Sequence, residues 1–291
     1  MIEDLIEREG LPADYADVVE QYWQPLATAI ARRAADRTPL VVGINGAQGS
    51  GKSTLCLFLE ALLKRRSLRA VTLSLDDLYL PRSQREHLAK EVHPLFATRG
   101  VPGTHDPGLG ISIVEDVMAG RTFELPRFDK ATDDRAPDTE RITGPVDVLL
   151  LEGWCVGAKP QDAAALARPV NTLEDEEDPG GIWRAVANQW LAADYAKLFD
   201  QIDLLVMLRV EGFETARRNR ALQEAKLRAR YPSAAGAMDD AALDRFMQHY
   251  ERLTRHMLEE MPGRADIVFD IGPDQRPLAL PAGLAKPTAP S

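Results

Sequence analysis

Apolar positions along the chain gather into short, nearly unbroken runs: PLVVGIN (39–45), RAVTLSL (69–75), VDVLLLEG (146–153), DLLVMLRV (203–210) and ADIVFDI (265–271). Runs that do not alternate with polar residues are what parallel strands look like when both faces of their sheet are covered. Helical patterns fill the gaps between them. The expected fold is therefore α/β, a doubly wound, mainly parallel five-stranded sheet with helices on both faces. Ahead of the first run, Val18, Val19, Tyr22, Trp23, Leu26, Ile30 and Ala34 recur at helical spacing between Tyr15 and Ala35. The polar side of that helix mixes charges of both signs, which suits packing on a core better than lying on a membrane.

Three stretches break the alternation of strand and helix. Residues 91–110 and 126–145 are rich in Pro, Gly, Asp and Arg and are expected as loops near the strand ends, where open sheets bind ligands. Residues 158–181 carry the acidic run EDEED, which reads as a solvated loop, with metal capture the weaker alternative. The tail 273–291 is rich in proline and poor in large apolar residues, so it is expected to be flexible.

Acidic residues outnumber basic ones by 45 to 35, for a formal charge of −10. That balance lacks the basic footprint of a nucleic-acid-binding surface. The cysteines, Cys56 and Cys155, build neither a disulfide framework nor a CxxC metal site and are expected as free buried thiols. The opening MIEDLIEREG has no apolar signal core and no long apolar run follows, so the expected location is cytoplasmic and no membrane partner is expected. Nothing in the pattern sets an oligomeric state.

The first apolar run leads into GINGAQGSGKST (43–54), which fits G-x-x-x-x-G-K-[ST] between a strand and a helix. Gly46, Gln48, Gly49, Ser50, Gly51, Lys52, Ser53 and Thr54 are expected around a nucleotide, with backbone N–H groups turned onto its β-phosphate at a helix N-terminus. Lys52 would reach the β- and γ-phosphates, and Ser53 would sit on Mg²⁺. A glycine-rich turn of no function would not need strand, loop and helix to agree in this way.

What receives the phosphoryl group must be read elsewhere. SLDDLYL puts Asp76 and Asp77 at the carboxyl end of the second run, on the edge the phosphate loop faces. A carboxylate there can take the proton of an attacking hydroxyl, although adjacent aspartates after a strand also make helix caps and turns. LLLEGW ends its run in Glu152, an acid placed to serve Mg²⁺. HPLFATRGVPGTHD gathers His93, Arg99, His105 and Asp106, and LPRFDKATDDR gathers Arg127, Asp129, Lys130, Asp134 and Arg135. Cations beside acids that bind hydroxyls suit a hydroxylated, anionic acceptor, and surface ion pairs are the competing reading. In FETARRNRALQEAKLRAR, Arg217, Arg218 and Arg220 could close over a nucleotide or form a solvated face.

Taken together and in this order, GINGAQGSGKSTL, SLDDLYL, RGVPGTHD, LPRFDKATDDR and LLLEGW resemble the D-glycerate 3-kinase branch of the phosphoribulokinase and uridine kinase group of P-loop kinases. The resemblance covers about residues 38–272. It implies a P-loop kinase domain there, preceded by a helical segment over 1–37, with acceptor loops in 91–145 and a lid helix at about 212–230. It also implies ATP and Mg²⁺, with Asp76 as catalytic base, Lys52 and Glu152 catalytic, and Ser53 and Glu152 at the metal. Asp77, Tyr79, Arg99, His105, Asp106, Arg127, Asp129, Lys130 and Arg135 fall on the acceptor side, and Arg217 and Arg220 on the lid. Where the resembled lid reads WR-x-x-QE, this chain has Asn219 in place of tryptophan.

The implied activity is transfer of the γ-phosphoryl group of ATP to a hydroxyl, foremost that of D-glycerate. Uridine, pantothenate or a sugar phosphate is the alternative acceptor. A nucleotide-driven switch is a different class. A GTPase would carry an NKxD segment, which is absent, and a motor would carry a nucleic-acid surface. A protein that kept the loop only for structure would have no use for Lys52, Ser53, Asp76 and Glu152 together.

Overall fold

The computed structural model of the protein describes residues 2–230 and 238–284, with the side chains of 226–230 left aside. Its strands are β1 (Leu40–Gly46), β2 (Ala70–Ser74), β3 (Phe123–Leu125), β4 (Phe128–Asp129), β5 (Asp134–Arg135), β6 (Glu140–Ile142), β7 (Val148–Gly153), β8 (Leu204–Arg209) and β9 (Ile267–Asp270). Five of them, one from each apolar run, form a single parallel sheet in the order β2-β7-β1-β8-β9. The expected doubly wound α/β fold is the fold observed.

The continuous apolar runs follow from this topology. Successive side chains of a strand point to opposite faces, so β1 sends Val42 and Ile44 to one core and Val41 to the other. The first core is closed by the helices Gln24–Asp36 and Lys52–Lys64 through Leu26, Ile30, Leu55 and Leu59. The second is closed by Pro107–Met118 and Asp240–Glu260 through Ile113, Val117, Tyr250 and Met257. Complete burial of such side chains contributes about 1.5–3 kcal/mol each, so neither face of the sheet is free to be polar.

Three local features depart from the sequence expectation. The N-terminal helix is interrupted by a π turn over Val19–Trp23, one residue ahead of Pro25, whose ring and missing N–H disturb the regular hydrogen-bond ladder. The acidic run is a helix, Thr172–Glu177, rather than a loop; Asp175, Glu176 and Glu177 are exposed, but Glu174 is fully buried and Asp178 is at 1% exposure. Glu174 accepts from Arg252 Nε at 2.8 Å and Nη2 at 2.6 Å, and Asp178 accepts from Arg184 Nη1 at 3.0 Å. These two acids stand four residues apart, on one side of the segment, and turn inward because two arginines wait there. The tail was expected to be loose from residue 273, yet Arg276 pairs with Asp14 at 2.7 Å, Pro277 bridges Ile271, and Leu284 is buried in the first core. Residues 285–291 lie outside the described residues.

Candidate active site

The phosphate loop leaves β1 at Gly46 and turns into the helix Lys52–Lys64. Gly49 and Gly51 hold φ at +72° and +92°, a region glycine enters freely and other residues rarely do. Gly51 is the N-cap and offers no side chain to the first N–H groups, which are left for an anion. Lys52 curls back here, its Nζ donating to the Ala47 carbonyl at 3.2 Å. Burial draws its pKa down, and the charges of Glu152 and Asp76 pull the other way.

Glu152, at the end of β7, is 6% exposed, and its Oε1 accepts from Ser74 Oγ at 2.7 Å and Ser53 Oγ at 3.2 Å. One hydroxyl and one carboxylate at the mouth of a phosphate loop form the sparse all-oxygen set magnesium accepts when phosphates and water complete its shell. Among the described residues no cluster of three or more His, Cys, Asp or Glu could hold a metal by itself. Ser53 and Glu152, both oxygen donors, fit a magnesium ion whose remaining ligands are phosphate oxygens and water.

Across the cleft, the turn Leu75–Leu78 after β2 separates two neighbouring carboxylates. Asp76 accepts from the Tyr79 hydroxyl at 2.9 Å and from Lys130 Nζ at 2.6 Å. Burial works to raise its pKa, but the Lys130 charge and these hydrogen bonds outweigh it and hold the group at about 2. Asp77 faces away toward the β4–β5 hairpin, accepting from Arg127 Nη1 and from the Phe128 N–H, both at 3.0 Å. Its pKa is raised by burial against those donors.

Behind Asp76 the rings of Tyr79 and His105 stack at 4.5 Å. Tyr195 Oη receives the Gly103 N–H at 2.9 Å and lies 2.7 Å from His105 Nδ1. The His105 backbone N–H reaches the same oxygen at 3.3 Å, so both lone pairs of the hydroxyl are taken and its own proton is left to face Nδ1. Burial pushes the His105 pKa down to about 3.

The residues expected in the site divide by role. Lys52, Ser53, Asp76, Lys130, Glu152 and Arg220 line one open cleft of about 1600 Å³, together with Gln48, Gly49, Asp77, Tyr79, Arg99, Arg127 and Asp129. Asp106 caps the helix Pro107–Met118, accepting the Leu109 N–H at 2.9 Å, and Arg135 Nη2 donates to the Tyr79 carbonyl at 3.0 Å. Asp129 shapes the hairpin tip through the Ala131 N–H and the Thr132 hydroxyl, both at 2.9 Å. Arg217 does not join the cleft lining: Asp244 on the neighbouring helix takes it at 2.6 Å. Asn219 explains how the expected lid helix, Phe213–Arg230, sits without tryptophan. It is fully buried, and a Cβ placed on Gly49 would come within 2.7 Å of its own Cβ, so the helix rests directly on the phosphate loop.

No family model matches the chain. An uncharacterized kinase of Schizosaccharomyces pombe is 33% identical over 224 residues, covering 73% of this chain and 78% of that protein. This chain is a P-loop kinase of the D-glycerate 3-kinase-like branch. The chloroplastic D-glycerate 3-kinase of Arabidopsis thaliana is 28% identical over 262 residues, which span 84% of the kinase described here and 55% of the plant protein. A solved D-glycerate 3-kinase from Cryptococcus neoformans superposes with a TM-score of 0.72 at 25% identity, over 88% of this chain and 97% of the fungal one.

Two further residues brace His105 and Arg99 in the kinase and leave no motif in the sequence. The Tyr195 hydroxyl holds the His105 ring through the 2.7 Å contact with Nδ1, and the Tyr250 hydroxyl donates to the Arg99 carbonyl at 3.0 Å. Tyr250 comes so close that a Cβ on Gly100, where φ is +130°, would lie 1.9 Å from its oxygen. Both tyrosines sit on apolar helical stripes and read in sequence as ordinary core.

Proposed function

We propose that this kinase transfers the γ-phosphoryl group of ATP to the primary hydroxyl of D-glycerate, giving 3-phosphoglycerate and ADP. The observation that carries the reading is the placement of Asp76 in the same cleft as Lys52, with Lys130, Arg99 and Arg127 around the space before it. A small acid with a hydroxyl matches that arrangement, and two relatives described above bear the name D-glycerate 3-kinase.

In this reaction the acceptor oxygen bonds to the γ-phosphorus as the bond to the β-phosphate oxygen breaks. The hydroxyl proton passes to the Asp76 carboxylate. Loop N–H groups and Lys52 hold the triphosphate in line, so that most of the catalytic work is positioning and charge stabilisation. Ser53 and Glu152 would hold magnesium, which neutralises charge on the β- and γ-phosphates when bound. Arg220 lines the cleft wall, paired with Glu224 at 2.8 Å, and as the lid arginine it would meet the nucleotide. The buried thiols Cys56 and Cys155, whose pKa values burial raises, support work in a reducing compartment such as the cytoplasm. Among the described residues no helix is long and apolar enough to cross a membrane.

ADP release measured with D-glycerate, pantothenate, uridine and ribulose 5-phosphate tests the proposal. D-Glycerate is expected to accelerate release most, and equal release with and without every acceptor would overturn it.

A further inference from the structure

Every cation on the acceptor side already has an anionic or carbonyl partner. Arg127 is shared between Asp77 and Glu140, Arg99 is held by Asp133, and Arg135 is hydrogen-bonded to the Tyr79 carbonyl. These are guanidinium contacts on side chains that are 39%, 22% and 27% exposed. Lys130 differs on both counts. It is 61% exposed, rides near the hairpin tip, and makes its contact as a single ammonium on Asp76 at 2.6 Å. An ammonium is a compact, strongly hydrated charge on a flexible four-carbon stem, so an exposed one exchanges its partner for water or another anion readily. Its partner is the carboxylate that must receive the acceptor's proton.

We propose that Lys130 is a specificity-determining latch: it covers the Asp76 carboxylate until an anionic group on the acceptor draws the ammonium away, exposing the base only when a charged acceptor is seated. This deepens the phosphotransfer reading above and rests on it. The hairpin stays in place while the latch moves, because Asp77 pins its base through Arg127 and Phe128, and Asp134 accepts the Arg82 N–H at 3.0 Å. The Tyr79 hydroxyl keeps hold of the other Asp76 oxygen throughout. With Lys130 in place, the carboxylate is a poor base, consistent with its depressed pKa. Water entering the cleft then finds no acceptor for its proton, and ATP is spared. If the latch is removed, water can attack the γ-phosphorus: its oxygen bonds to phosphorus, the bond to the β-phosphate oxygen breaks, and its proton goes to Asp76, releasing ADP and phosphate.

The experiment measures ADP release from ATP with no acceptor, and then with D-glycerate, for the full-length wild type and for Lys130→Met, Lys130→Arg and the double variant Lys130→Met/Asp76→Asn. Lys130→Met is expected to raise acceptor-free release by about tenfold or more, the scale of an unmasked general base, and to gain little more from D-glycerate. Lys130→Arg keeps the charge and holds acceptor-free release well below the methionine variant, and adding Asp76→Asn removes the excess. If Lys130→Met lowers only the D-glycerate-stimulated rate and leaves acceptor-free release unchanged, Lys130 is a simple anchor for the acceptor and the latch is overturned, with phosphotransfer intact. Wild-type release that no acceptor accelerates overturns the phosphotransfer reading and the latch with it. An ATP-induced rise in Tm in each variant verifies that the fold and nucleotide site survive.

Discussion

Asp76 and Asp77 are chemically identical neighbours whose roles are set by what donates to them. Asp77 is filled by a guanidinium and a backbone N–H from the hairpin it anchors. Asp76 faces the cleft, partnered by a phenol and by the exposed ammonium of Lys130. Replacing each by asparagine separates the roles. Asp76→Asn is expected to fold and bind ATP while its kcat falls by about 10²- to 10⁴-fold, the usual worth of a positioned base. Asp77→Asn weakens the hold on the hairpin, with a stability loss of about 1–3 kcal/mol for a poorly satisfied, partly buried group, a raised acceptor KM and a kcat within about tenfold of wild type. Steady-state kinetics with thermal unfolding on both variants decide the assignment, and a larger kcat loss in Asp77→Asn would reverse it.

Elements written by local pattern were legible in the sequence. The five strands and the phosphate loop announce themselves because buried parallel strands must be apolar throughout, and because a loop around a phosphate needs glycine at fixed places. The acidic run was not legible. Glu174 and Asp178 look like solvent-facing charges until Arg252 and Arg184, tens of residues or a few residues away, are known to lie beneath them. The same distance in sequence hides Tyr195 and Tyr250, and Asp106 reads as an acceptor ligand because a helix cap and a binding acid are the same residue in a glycine-rich loop. The Glu174–Arg252 pair ties the helix Thr172–Glu177 to the long helix that carries Tyr250. Glu174→Ala leaves Arg252, 9% exposed, without its counter-charge, at a cost of about 3–5 kcal/mol. Adding Arg252→Met should recover much of the loss, because an apolar pair no longer buries a lone charge. Urea unfolding of both variants provides the check: no recovery in the double variant would mean that packing, rather than charge, is what the pair supplies.

On the scale of the whole molecule, the phosphate loop and the Asp76 turn are gathered at one edge of the sheet, while the helix over the loop, Phe213–Arg230, comes from the chain beyond β8. That helix reaches the phosphate loop at Asn219, packed on Gly49. The contact is tight because Gly49 has no side chain, and it joins two parts of the chain that no continuous element connects. Gly49→Ala would place a methyl group 2.7 Å from the Asn219 Cβ, at a φ of +72°, adding about 1–2 kcal/mol of backbone strain. The helix must then lift or the loop must flatten, and either change spoils the alignment of N–H groups and Arg220 on the phosphates. The expected result is ATP affinity lowered by about tenfold or more, 1.4 kcal/mol per decade. The rise in Tm with saturating ATP, worth about 2.7 kcal/mol at a hundredfold excess over Kd, should shrink accordingly. Asn219→Gly removes the opposing Cβ, so in the Gly49→Ala background it should restore part of the ATP-induced rise and leave only the loss due to φ. If Asn219→Gly restores nothing, the damage lies wholly in the loop and the helix does not depend on this contact to meet the nucleotide.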